Sequence, residues 1–213
     1  MKLVKEQVQY HSYMLVKRAT YKVHRELMSI GLAHEHCHLR KVNVHWMKLP
    51  TILYRDACGF MFHHEPLPSI FNYQPGHIYY PSMLFKVFGK RYKAIDVIRH
   101  EYGHAFAHYY REIIEGAPSF IRAFGGDYFD EDKLYELPAA SFITEHAKSQ
   151  PMEDFAETFM VYLQFKGELP VQYTNRALKR KWNFIRDAVQ KHRSLLPACS
   201  SRRPVDAKSI YLG

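Results

Sequence analysis

The chain has 213 residues, 47% of them hydrophobic and 15% aromatic; this excludes intrinsic disorder as a description of the whole and suits a single domain. The formal charge of +9 and pI near 9.4 favour acidic partners. Lys and Arg are nevertheless spread along the chain, dense only at Lys90-Arg91-Tyr92-Lys93, Lys179-Arg180-Lys181 and Arg202-Arg203, and no motif of a nucleic-acid module accompanies them, so nucleic acid is a disfavoured partner class.

No apolar run approaches the roughly 20 residues that span a bilayer, so no membrane span is expected. The first residues, Met1 to Gln7, place Lys5, Glu6 and Gln7 where the apolar core of a signal peptide would lie. Cys37, Cys58 and Cys199 form no Cys-x-x-Cys pair, which excludes a zinc ribbon and a disulfide framework. The expected compartment is the cytoplasm, with secretion independent of a signal peptide left open.

From about Gln7 to Leu32, the residues Val8, Leu15, Val16, Ala19, Val23, Leu27 and Ile30 recur at helical steps, and Gly31 marks the end. His34, His36 and His38 follow at two-residue spacing near Cys37; a polar turn is the better reading than a second metal site, because no partner cluster accompanies them. Between Arg40 and Phe88 the pattern changes to short strands. Val42, Val44 and Trp46 alternate with polar residues, Ile52-Leu53-Tyr54 and Cys58 to His64 flank a turn, and His77-Ile78-Tyr79-Tyr80 stops at Pro81. His63 and His64 point to opposite faces of any strand, which suits packing or surface roles. If His77 to Tyr80 is an edge strand, His77 and Tyr79 belong to a surface that pairs with an extended peptide substrate.

Helical character returns at Tyr92 and continues to about Glu115, where Gly116 and Pro118 end it. Residues 117–145 read as irregular or as short helices. Pro151 begins another helix, which Gly167 and Pro170 stop. The last helix, about Thr174 to His192, is basic and amphipathic, and the tail from Pro197 reads as loosely ordered. The sequence therefore predicts one α+β domain over 1–213. It comprises a helical part over 1–38, a small mixed sheet over 40–88, a mainly helical part over 92–192 and a tail over 197–213.

The chemistry centres on His100-Glu101-Tyr102-Gly103-His104, a His-Glu-x-x-His pattern in a helical segment. Histidines one turn apart leave the same face, where two neutral imidazoles hold one zinc ion, and the intervening Glu101 is placed to take a proton from water. Gly103 permits close packing of this helix. A third ligand is needed. His108 lies two turns from His100, and one ion does not easily reach all three histidines of a straight helix. A metzincin pattern would need Gly and His where the chain has Ala107 and Tyr110. Glu153 and Glu157, one turn apart on a later helix, are better placed. One carboxylate can bind the ion while the other accepts a hydrogen bond from a ligand histidine.

The His100–His104 pattern together with Glu153-Asp154-Phe155-Ala156-Glu157-Thr158-Phe159 resembles the gluzincin clan of zinc metallopeptidases. It is closest to bacterial zinc-binding metallopeptidases with a Glu-Asp-Trp/Phe-Ala-Glu-Thr helix, and more distantly similar to the catalytic domain of anthrax lethal factor. The match covers about Arg99 to Leu163. The resemblance implies a zincin-like fold with an active-site helix and hydrolysis of a peptide or protein substrate. It also implies a Zn2+ site of His100, His104 and Glu153, with Glu157 supporting a ligand histidine and Glu101 as general base. The N-terminal zinc ribbon of many such relatives is absent. Where those relatives carry an oxyanion-binding tyrosine, this chain has His146, which can donate a hydrogen bond in the same role, as a histidine does in thermolysin-like enzymes. The rival readings are a nucleic-acid-associated SprT-like metalloprotease, usually completed by a third histidine, and a non-catalytic metal-binding or scaffold protein.

Overall fold

A computed structural model of the chain describes residues 2–33, 37–47, 60–61, 77–81, 93–131 and 137–195. Helix makes up 70% of the described residues. The N-terminal helix α1, Lys2–Ser29, starts earlier than the apolar pattern indicates. Its inward face carries Val16, Ala19, Val23 and Leu27, while Leu15 points outward. It ends as the sequence predicts. Gly31 adopts a left-handed conformation (φ 78°), Leu32 N–H donates to the Leu27 carbonyl and Gly31 N–H to that of Met28. This is a Schellman cap, which needs the left-handed residue that glycine supplies without strain.

Strand is scarce. β1 (Val44–Met47), β2 (Phe60–Met61) and β3 (Ile78–Pro81) form a three-stranded sheet in the order β1-β3-β2. β3 runs parallel to β1, with Val44 opposite Ile78, and antiparallel to β2, with Phe60 opposite Tyr79. These strands do not establish a sheet of the extent expected over 40–88. β3 lies between two partners among the described residues, paired with β1 over Ile78–Pro81 and with β2 at Ile78 and Tyr79, so at those two positions it is not an edge strand. The substrate role assigned to His77 and Tyr79 rested on that edge. Ile52-Leu53-Tyr54, His34, His36, His63, His64, the Lys90-Arg91-Tyr92 run and the tail over 197–213 lie outside the described residues.

The helix carrying the histidine motif divides in two. α2, Ala94–Tyr109, stops where Tyr110 leaves helical geometry, and α3, Arg111–Ile114, follows at once. α4, Pro118–Phe124, is a short helix within the stretch read as irregular, capped by left-handed Gly125 (φ 89°). Two 3-10 turns, Ala139–Ser141 and His146–Lys148, lead to α5, Pro151–Gln164, with proline in its first turn as expected. α6, Arg176–Leu195, closes the described structure. α2 and α5 cross at the centre, α1 packs along α2, and α6 packs on α4 and α5. An aromatic core of Tyr102, Phe106, Phe120, Phe124, Phe155 and Phe159 fills the space between them, each nearly or fully buried. No described helix is long and apolar enough to cross a membrane.

Candidate metal centre

The site is built where α2 and α5 touch. His100, Gly103 and His104 on α2 have the same spacing as Glu153, Ala156 and Glu157 on α5. The small residues meet: a Cβ on Gly103 would lie 2.8 Å from the Ala156 Cα. Glycine therefore lets the two backbones approach until both flanking pairs, imidazoles from one helix and carboxylates from the other, face each other. The close packing expected of Gly103 is what assembles the cluster.

Three donor atoms converge. His100 Nε2 lies 3.1 Å from His104 Nε2 and 3.2 Å from Glu153 Oε2, and His104 Nε2 lies 3.7 Å from the same oxygen. Neighbouring ligand atoms around a tetrahedral zinc at about 2.0–2.1 Å are about 3.3 Å apart, so this triangle has the size of one face of that tetrahedron. His100, His104 and Glu153 are the group whose donor atoms all fall within 4.8 Å of one another among the described residues.

The surrounding hydrogen bonds favour metal-binding tautomers. His100 Nδ1 lies 2.8 Å from Glu157 Oε1, so it carries a proton for the carboxylate to accept. The Nε2 of a neutral His100 is then a lone pair aimed at the cluster. His104 Nδ1 lies 2.9 Å from the Tyr128 hydroxyl. In the His104 tautomer that donates from Nδ1 to the Tyr128 oxygen, the two Nε2 atoms meet as acceptor against acceptor, an arrangement a shared cation satisfies. Glu153 Oε2 meets them at the same point, 3.2 Å from His100 Nε2, 3.7 Å from His104 Nε2 and 2.8 Å from His146 Nε2. Without a metal, a proton takes that place: burial opposes charge on His100, but Glu153 and Glu157 raise its pKa well above the ordinary histidine value. Burial likewise opposes the charge on Glu153, and His100, His104 and His146 outweigh it, holding the carboxyl far below its usual range. Glu157 is also shifted down, against burial, by His100 and by the Thr144 hydroxyl.

Glu101 is 4% exposed, and its Oε2 has no hydrogen-bond partner among the described residues. Burial raises its pKa, opposed by the charges of His100 and His104. An unpartnered buried carboxylate oxygen costs free energy, which a water or substrate group bound beside it would recover. His146, 55% exposed at the start of its 3-10 turn, reaches across with Nε2 2.8 Å from Glu153 Oε2 and its ring 5.6 Å from that of His100. It therefore contacts the cluster through Glu153, whose hydrogen bond raises its pKa against burial.

The structure thus brings together His100, Glu101, His104, His146, Glu153 and Glu157. His108 packs edge-on against Tyr109 and stays outside the cluster. His77 instead faces the Asn43 N–H and His45.

Two contributors escape the sequence reading. Tyr128 follows Gly125-Gly126-Asp127, which reads only as an interruption. Asp127 folds that loop by accepting the N–H groups of Gly116 and Tyr128, and the tyrosine is thereby aimed back at His104. The turn residues Gly125-Gly126-Asp127 are legible in sequence; the target of the tyrosine is not. The second is Lys181, which is fully buried with Asp154. Its Nζ donates to both Asp154 oxygens at 2.9 and 2.7 Å and to the Ser141 carbonyl at 2.5 Å. This fixes the first turn of α5, next to Glu153, to α6 and to the segment that leads to His146. No protein-family model, no curated protein and no solved structure matches the chain, so its functional reading rests on this geometry.

Proposed function

We propose that the chain is a zinc-dependent metallopeptidase with a zincin-like active site, cleaving a peptide or protein substrate. The observation that carries this reading is the His100–His104–Glu153 triangle, of zinc-ligand size, beside a buried and unpartnered Glu101 oxygen. Further support comes from the placement of α2, which packs on α5 on one side and contacts β2 and β3 on another.

Bound zinc would supply Lewis-acid polarisation of the scissile carbonyl and a lowered pKa for the attacking water. His100, His104 and Glu153 would hold the ion. Glu157 keeps the proton on His100 Nδ1, and Tyr128 engages His104 Nδ1, so both Nε2 atoms stay available. Glu101 accepts the proton of the attacking water and returns it to the leaving amine. Its raised pKa brings it closer to the neutral range in which one carboxyl serves both as base and as acid. His146, exposed at the mouth of the site, turns from Glu153 to donate a hydrogen bond to the oxyanion of the substrate.

A metal site kept for stability alone would use the same ligands, and Glu101 separates the two readings. The Glu101→Gln variant is expected to retain zinc, measured by elemental analysis, and to lose peptide hydrolysis by about a hundredfold or more. Glu153→Ala is expected to lose zinc far more than His108→Ala. Peptidase activity undiminished in Glu101→Gln removes the catalytic assignment, and zinc content unchanged in Glu153→Ala removes the ligand set.

A further inference from the structure

The strongest charged feature outside the metal cluster is a concavity of about 860 Å³ between α3–α4 and α6. None of its lining residues belongs to the metal cluster. Arg122 from α4 and Arg176, Lys179, Arg180 and Lys191 from α6 line it, against the acids Glu112 and Asp187. The basic run at 179–181 divides here. Lys181 turns inward to Asp154, while Lys179 and Arg180 are exposed to the groove.

The groove cations that α6 contributes are not neutralised by ion pairs among the described residues. Among the described residues no carboxylate forms an ion pair with Arg176, Lys179 or Lys191, whereas Asp187 is engaged by Arg186, whose Nε and Nη2 both lie 3.1 Å from its Oδ1. Arg180 uses one guanidinium nitrogen on the Arg122 carbonyl, 3.0 Å away. That bond joins the two walls and leaves the positive charge uncompensated. Arg176, Lys179 and Arg180 lie within one helical turn, and Lys191 extends the row to about 22 Å along the axis.

We propose that this groove binds the sugar–phosphate backbone of nucleic acid. Guanidinium forks match phosphate oxygens in geometry, and a row of unpaired cations gains affinity by releasing condensed counterions. The net charge of +9 over the whole chain adds long-range attraction of the same sign. The one aromatic on the lining, Phe184, is buried among the core rings and offers no platform on which bases stack. Recognition here is therefore of backbone charge and independent of sequence. The inference stands apart from the metal site, and it raises nucleic acid from a disfavoured partner class because folding gathers the scattered charge into one concavity.

The test is fluorescence anisotropy of the full chain with end-labelled single-stranded DNA over a range of salt concentrations. The Arg176→Gln/Lys179→Gln/Lys191→Gln variant is compared with Lys17→Gln/Arg18→Gln/Lys22→Gln, which removes equal charge from the exposed face of α1, and thermal melting checks that both fold. The groove variant is expected to weaken binding about tenfold at moderate salt and to make the salt slope shallower by about two, while the α1 variant changes little. Equal weakening by both variants, absence of salt-sensitive binding by the unmodified chain, or polyglutamate binding as tight as that of DNA overturns the proposal.

Discussion

Glu153 and Asp154 are neighbours in the first turn of α5, and their surroundings are opposite. Asp154 faces α6, where both of its oxygens accept hydrogen bonds from one buried lysine and nothing is left unmet. Glu153 faces α2, where His100 and His104, joined by His146 from the preceding 3-10 turn, surround one of its oxygens. Burying a carboxylate is tolerable when a cation and hydrogen bonds accompany it. On the α6 side the protein supplies that cation itself, as Lys181. On the α2 side the neighbours are imidazoles, which balance the carboxylate only when they are protonated or share a cation with it.

The largest expected effect breaks the satisfied side. Lys181→Met removes the cation that accompanies buried Asp154, and is expected to lower unfolding stability by about 3–5 kcal/mol in denaturant titration. The double variant Lys181→Met/Asp154→Leu should recover most of that loss, because it removes the stranded charge. If the single variant is as stable as the unmodified chain, the pair is not the strut described here.

Next comes the crossing that forms both helix faces. A methyl group at Gly103 would meet the backbone of Ala156, so α2 and α5 must separate. Gly103→Ala is expected to cost about 1–3 kcal/mol and to weaken zinc binding together with stability. A variant that loses stability but binds zinc unchanged would show that the crossing distance does not set the ligand geometry.

A smaller effect sharpens the α2 side. Tyr128→Phe removes the partner of His104 Nδ1 and keeps the ring. It is expected to weaken zinc binding about tenfold in chelator competition, with a smaller change in thermal stability. Equal affinity in the variant would mean that Tyr128 does not hold the His104 tautomer.

The two sides of α5 were not equally legible in sequence. His100, His104, Glu153 and Glu157 stand at helical spacing in two separate segments, and local periodicity is enough to place each pair on one face. Proline at the start of α5 and glycine at the end of α1 act locally and were readable for the same reason. Lys181 was hidden because it sits in a basic run on an amphipathic helix, where burial of one lysine among exposed neighbours depends on what packs above it. Tyr128 was hidden likewise, since its target lies 24 residues away in sequence. The position of β3 was left open in sequence because strand order is a long-range property: residues 78–81 look alike whether they end a sheet or lie inside one.

The smallest effect concerns a buried imidazole that lacks even the partners available to Glu153. His24 on α1 is 8% exposed, packs edge-on to Tyr102, and has no hydrogen-bond partner at Nε2. Burial lowers its pKa, and the positive charge of Arg40 lowers it further. The unfolded chain therefore binds a proton at His24 more readily than the folded one. The resulting preference for the folded state is full above the ordinary histidine pKa of about 6.5 and is lost as pH falls below it. His24→Gln, which cannot take up a proton, should flatten the decline of thermal stability between neutral and mildly acidic pH. Because His100 and His146 have pKa values shifted upward, they do not add to this decline in the same direction. Acid sensitivity that is identical in His24→Gln and the unmodified chain would place its origin elsewhere than this imidazole.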